Sequence, residues 1–131
     1  MNKKVLVVDD DISMREMISL LLRHVGHNVS LAENWKEALN LLKSENFDIL
    51  MTDFRMPAME GIVNGIELIR FIKLNKLNPE MKIILMSAEM DENIKSVALA
   101  AGADKVMNKF EICGVKTMEK LLEELFFKNK T

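Results

Sequence analysis

Five short aliphatic or β-branched runs recur along the chain: Lys4 to Val8, Asn28 to Ala32, Phe47 to Thr52, Lys82 to Ser87 and Asp104 to Met107. They show little apolar/polar alternation, the pattern of strands buried on both faces. Between them lie stretches with apolar positions three and four residues apart, which predict helices. Ser13-Met14-Arg15-Glu16 reads as a capping box, Met17, Leu20, Leu21 and Val25 mark an inward face, and Gly26 stops this first helix. Trp35, Leu39 and Leu42 mark a second helix, Ile66, Ile69 and Ile72 a third, and Ile94, Val97 and Ala101 a fourth that stops at Gly102. Val115, Met118, Leu122 and Leu125 mark a fifth. Strands alternating with helices predict a (βα)₅ doubly wound α/β domain on a five-stranded parallel sheet.

Composition narrows the function classes. The 131 residues fit one domain, 1–131, and 49% apolar with 29% charged residues indicates a packed globular chain. Formal charge is −2 with the signs interspersed, so no basic face suits nucleic acid. Apolar runs fall short of the roughly 20 residues of a membrane span, and the MNKK start is no signal peptide. A single cysteine, Cys113, excludes an internal disulfide and suits a cytoplasmic location. Met51, Met56, Met59, Met81, Met86 and Met90 are scattered, as core filler is. His24 and His27 flank the Gly26 turn, where a solvent-facing role is expected.

In open parallel sheets, ligands bind beyond the carboxyl ends of the strands, where the strand order reverses. The residues at those ends are Asp9 and Asp10 after the first run, Asp53 after the third, Ser87 closing the fourth and Lys109 after the fifth. Three carboxylates in one cleft would raise one another's pKa values unless a cation neutralises them. Oxygen donors and a small site favour Mg²⁺. Calcium lacks its characteristic loop, and zinc would want His or Cys at these ends.

These residues carry a family resemblance. VLVVDDD with SMRE, FDILMTDFRMP, IILMSAE and AGADKVMNK, in that order, resemble the receiver domains of two-component response regulators. The similarity runs from Lys3 to about Phe127 and implies a flavodoxin-like, CheY-like sheet of order 2-1-3-4-5. It implies Asp53 as the phospho-acceptor. Mg²⁺ would be held by Asp10 directly, by Asp9 mainly through a water, by Asp53 and by the backbone carbonyl of Arg55. Lys109 and Ser87 would contact the phosphoryl oxygens, and the small Ala88 would leave room for the donor. That donor would be a sensor histidine kinase or a histidine phosphotransfer protein. The output would be a protein target on the face of the fourth helix, fifth strand and fifth helix, with Phe126-Phe127 adding apolar area for it or for a homodimer. Since only Lys128 to Thr131 follow the last helix, a stand-alone receiver is expected.

The chain departs from the family pattern in three places. Lys109-Phe110 stands where Lys-Pro with a cis bond is usual; a non-proline cis bond costs about 3 to 4 kcal/mol, so trans is expected, with a shorter loop after the last strand. Val106 replaces the usual aromatic switch residue, so either the signal passes through backbone shifts of the fourth helix and fifth strand or the domain does not switch. MPAMEGIVNGIEL holds about four extra residues before the third helix, and Gly61 and Asn64-Gly65 allow sharp turns there. A surface insertion is the expectation for Glu60 to Gly65, with a lid or kinase-selectivity element beside Asp53 as the alternative. Arg55 and Glu89, two beyond the acceptor and two beyond Ser87, suggest a salt-bridged gate against attacking water.

Other classes fit less well. An atypical receiver acting as a phosphorylation-independent interaction module is the alternative that the missing proline and aromatic motivate. A haloacid-dehalogenase-like phosphatase would use Asp9-x-Asp11 and Ser13, with SAEMDEN as its later acidic pair, but usually carries a cap module. A dinucleotide-binding domain would need a glycine-rich turn after the first strand, where this chain places acids.

Overall fold

The computed structural model describes residues 2–89, 91–112 and 114–127. Cys113, Met90 and Lys128 to Thr131 lie outside the described residues, as does the side chain of Phe127. Five strands alternate with five helices: β1 Lys4–Val8, α1 Ile12–His24, β2 Asn28–Ala32, α2 Trp35–Ser44, β3 Ile49–Asp53, α3 Gly65–Leu74, β4 Lys82–Ser87, α4 Glu92–Ala101, β5 Lys105–Asn108 and α5 Val115–Phe127. A 3₁₀ turn, Lys109–Glu111, joins the last two. The strands pair in parallel in the order β2-β1-β3-β4-β5, so the order reverses beside β1 and β3. The doubly wound α/β expectation holds.

Alternate residues of the buried strands feed two apolar layers. Leu6, Val8, Leu50, Ile83 and Leu85 face the layer of α2, α3 and α4, with Trp35, Leu39, Ile69 and Ala98. Val5, Val7, Ile49, Met51, Ile84 and Met86 face the opposite layer, with Ile18 and Leu22 of α1 and Met118 and Leu122 of α5. Burying both faces of the sheet explains why these strands read as continuous apolar runs.

Several boundaries differ from the sequence reading. α1 is capped by Asp11, whose carboxylate accepts from the amides of Ser13 (2.9 Å) and Met14 (3.3 Å), so the expected Ser13 capping box is not the cap. Its buried face is Ile18, Ser19 and Leu22, whereas Leu20 is 70% exposed. Apolar residues occur all round this helix, so spacing alone left its phase undetermined. β3 starts at Ile49 because the Phe47 amide is diverted to Asn78 Oδ1 (2.6 Å). Asp104 precedes β5 because its carboxylate accepts from the Ile83 amide (2.8 Å). His27 is buried, not solvent-facing, and its Nδ1 accepts from the Lys3 amide at 2.9 Å.

The segment before α3 contains an ordered two-residue hairpin. Met59 and Ile62 exchange backbone hydrogen bonds of 3.0 Å in each direction. The turn places Glu60 at φ 56° and Gly61 at φ 79°, the left-handed pair that a tight hairpin demands. Ile62 is buried in the layer of α2, α3 and α4 and anchors the loop.

Candidate functional site

The site is assembled where β1 and β3 end. Asp9 follows β1 and is fully buried; its amide bonds Ala32 O (3.1 Å), and its Oδ1 accepts from the Asp11 amide (2.9 Å). Arg15 Nη1 donates to the Asp9 carbonyl at 2.7 Å, fixing the chain from one turn up α1. Asp53 closes β3, and Phe54 beyond it is held by its amide to Met86 O (2.7 Å). The start of α3 is pressed onto this strand end. Gly65 N donates to Phe54 O (2.8 Å), and a Cβ at Gly65 would lie 2.7 Å from both Asp53 O and Leu85 Cδ1. Only glycine allows that approach.

The structure brings together one carboxylate oxygen each from Asp9, Asp10 and Asp53, all within 4.8 Å of one another. Asp10 is exposed and the other two are buried. Lys109, at the head of the 3₁₀ turn, bridges the buried pair, its Nζ 2.9 Å from Asp9 Oδ2 and 3.1 Å from Asp53 Oδ2. No cis peptide occurs among the described residues, so Lys109-Phe110 is trans, and the ammonium still reaches both acids.

Burial first, and the charge of Asp9 second, push the Asp53 carboxyl above the ordinary carboxylate range, against the opposing pull of Lys109. Burial works against the Lys109 ammonium as well, but the close contacts and charges of Asp9 and Asp53 outweigh it and raise its pKa. One ammonium therefore serves two buried acids. Asp9 Oδ2, fully enclosed, meets Lys109 only as an ion pair without a well-directed hydrogen bond. An all-oxygen donor set with an under-satisfied buried carboxylate oxygen fits a small hard divalent cation such as Mg²⁺.

Other candidate residues lie around this centre in different ways. Ser87 is buried at the end of β4, but its hydroxyl donates to Glu89 O (2.7 Å) and accepts from Glu89 N (3.2 Å) rather than meeting Asp53. Ala88 beside it is exposed. The Arg55 amide lies 3.4 Å from Asp53 Oδ1, and Arg55 Nε lies 3.7 Å from Glu89 Oε1 across an open mouth, both side chains being about two-thirds exposed. Val106 is not part of the polar cluster; it is buried in the layer beneath α4.

Sequence reasoning missed Arg15 and the capping role of Asp11. Arg15 had a faint signal, an arginine in the first helical turn after an acidic loop. Asn108 was missed too; its Oδ1 accepts from the Phe110 amide (2.8 Å) and shapes the turn that carries Lys109.

A five-stranded parallel sheet of order 2-1-3-4-5, with an acidic cleft at its order reversal, defines a doubly wound, flavodoxin-like α/β domain. The chain belongs to the response regulator receiver domain family, whose model matches residues 5–122. It is 34% identical over 123 residues to the transcriptional regulatory protein ZraR of Escherichia coli K12, covering 92% of this chain and 26% of that protein. It is 33% identical over 107 residues to the phosphate regulon transcriptional regulatory protein PhoB of Pseudomonas aeruginosa, covering 82% of this chain and 45% of that protein. The chain thus spans less than half the length of these curated relatives. The chemotaxis response regulator CheY4 of Vibrio cholerae superposes with a TM-score of 0.83 at 28% identity, covering 96% of this chain and all of that one. No helix among the described residues is long and apolar enough to cross a membrane.

Proposed function

We propose that this receiver accepts a phosphoryl group on Asp53 from a phosphohistidine of a sensor kinase or phosphotransfer protein, and signals through altered protein contacts. The observation that carries the reading is the Lys109 ammonium held between Asp9 Oδ2 and Asp53 Oδ2 at 2.9 and 3.1 Å. An Asp53 oxygen attacks phosphorus, the bond to the imidazole nitrogen breaks, and the imidazole takes up a proton from solvent. Such a displacement needs positioning and charge neutralisation more than acid-base work. Asp9, Asp10, Asp53 and the Arg55 carbonyl would hold Mg²⁺, which when bound neutralises the acids and the incoming phosphoryl oxygens.

Lys109 is placed to follow the phosphoryl oxygens as Asp53 loses its charge. Ser87 would leave Glu89 to donate to one of them, and Ala88 beside it leaves space. Ile12 and Phe110, 59% and 67% exposed and close in sequence to Asp10 and Lys109, offer apolar contact to the donor protein. The output would use the face of α4, β5 and α5, either toward a protein target or toward a second copy. With Val106 in place of an aromatic, the shift would travel through the backbone after Ser87.

Incubation with Mg²⁺ and a small phosphodonor should add one phosphate to the intact mass, and Asp53→Asn should abolish it. A phosphate adduct that persists in Asp53→Asn would refute the assignment. The Arg55–Glu89 pair is proposed as a gate at the mouth, so Arg55→Ala should shorten the lifetime of the acyl phosphate. An unchanged lifetime removes the gate and leaves the acceptor assignment standing.

A further inference from the structure

We propose that Asn64-Gly65 is a latent site of spontaneous covalent modification, deamidation through a succinimide, that the fold suppresses at the doorstep of Asp53. Two independent structural needs create this dipeptide. Asn64 caps α3, its Oδ1 accepting from the Glu67 amide at 2.9 Å. Gly65 must be glycine because Asp53 O and Leu85 Cδ1 would lie 2.7 Å from any Cβ placed there.

Each requirement is ordinary alone, and together they produce the pair with the least protected chemistry. Asn64 is the only asparagine in the sequence followed by glycine, so nowhere else is the attacking nitrogen left unshielded by a following side chain. In the reaction Gly65 N forms a bond to Asn64 Cγ, the Cγ–Nδ2 bond breaks, and ammonia departs with the proton lost by the Gly65 amide. Water then opens either carbonyl of the ring and leaves aspartate or isoaspartate at position 64.

The fold opposes the first step at both atoms. The Gly65 nitrogen is committed by its N–H to Phe54 O at 2.8 Å, and the Asn64 amide is oriented by the Glu67 amide. The Asn64 backbone is extended, with φ −162° and ψ 175°. Ring closure has to swing Gly65 N toward Cγ, which breaks the bond to Phe54 and lifts α3 off the end of β3. Reaction therefore requires local opening of the segment between the Met59–Ile62 hairpin and α3, and its rate reports that opening.

The products differ in consequence. Aspartate preserves the cap, since it serves that position as well as asparagine. Isoaspartate routes the main chain through an extra methylene, which displaces Gly65 from Phe54 and Asp53 and loosens the floor of the acidic cleft.

The test is incubation of the full chain at mildly alkaline pH, native and in denaturant, followed by tryptic mass mapping. Arg55 and Arg70 release the segment Met56 to Arg70 as one peptide. A one-dalton gain is expected in this peptide before any other, at least about tenfold slower in the native chain than in the unfolded one. Asn64→Ser keeps a capping oxygen and should abolish the gain, and the isoaspartate fraction should melt below fresh protein. Equal native and denatured rates would overturn the protection, and faster conversion at another asparagine would overturn the site.

Discussion

At the amino edge of the sheet, Asp48, Asp104, His27 and Asn78 hold backbone groups. Asp48 accepts from Lys4 N (2.8 Å), Asp104 from Ile83 N (2.8 Å), and His27 from Lys3 N (2.9 Å). Asn78 takes the Phe47 amide and donates to the carbonyls of Leu42 (2.9 Å) and Glu45 (3.3 Å). At the carboxyl edge the arrangement is different. Asp9, Asp53 and Lys109 answer mainly to one another, and two buried acids share a single ammonium. Backbone partners cannot leave, so the first edge is fixed, whereas side-chain charges can exchange for an incoming cation or phosphoryl group. One edge is held by contacts with the backbone, the other by charges that balance one another.

The largest disturbance is expected from Lys109→Met. Removing the shared cation leaves two buried carboxylates facing each other, at a cost of about 3 to 5 kcal/mol in denaturant unfolding. Adding Asp53→Asn to that variant should restore much of the loss, because one uncompensated charge disappears. A double variant no more stable than Lys109→Met would show that the lysine stem, not its charge, supports this edge.

At the opposite edge, Asn78→Ala should cost about 2 kcal/mol, since it orphans the Phe47 amide and two carbonyls and places alanine at φ 46°. It should leave the rate of phosphate incorporation unchanged. A fall in that rate would mean the edges are coupled.

The smallest effect concerns acid. Burial, followed by nearby positive charge including Lys3, lowers the His27 pKa, and its Nδ1 accepts a hydrogen bond only when unprotonated. Its contribution is therefore complete above the ordinary histidine value of about 6.5 and is lost as pH falls toward its lower folded value. Melting followed between neutral and mildly acidic pH should show this loss, and His27→Gln should flatten it. An unchanged slope would place the acid sensitivity elsewhere.

The architecture was legible because strand and helix periods are written in apolar spacing, and the clustering of Asp9, Asp10, Asp53 and Lys109 because they sit at or just beyond the strand ends. What escaped depended on hydrogen bonds that spacing does not encode. Asp11 and Ser13 are both good caps, and the chain took the earlier one. Asn78 lies midway along the loop between α3 and β4, thirty-one residues from the Phe47 amide it holds, so no local pattern announces the pairing. Ser87 was legible as a residue but not in its orientation, because a hydroxyl turned onto the backbone of Glu89 looks the same in sequence as one turned toward Asp53.

The hairpin before α3 also makes this domain easy to instrument. Met59 and Ile62 clasp each other through two backbone bonds, and Ile62 is rooted in the core, so the stem stays closed whatever the tip carries. Glu60 and Gly61 at that tip are exposed. A peptide tag or dye-bearing segment grafted between them would ride a few residues from Asp53, as an optical reporter on a mount the protein already supplies.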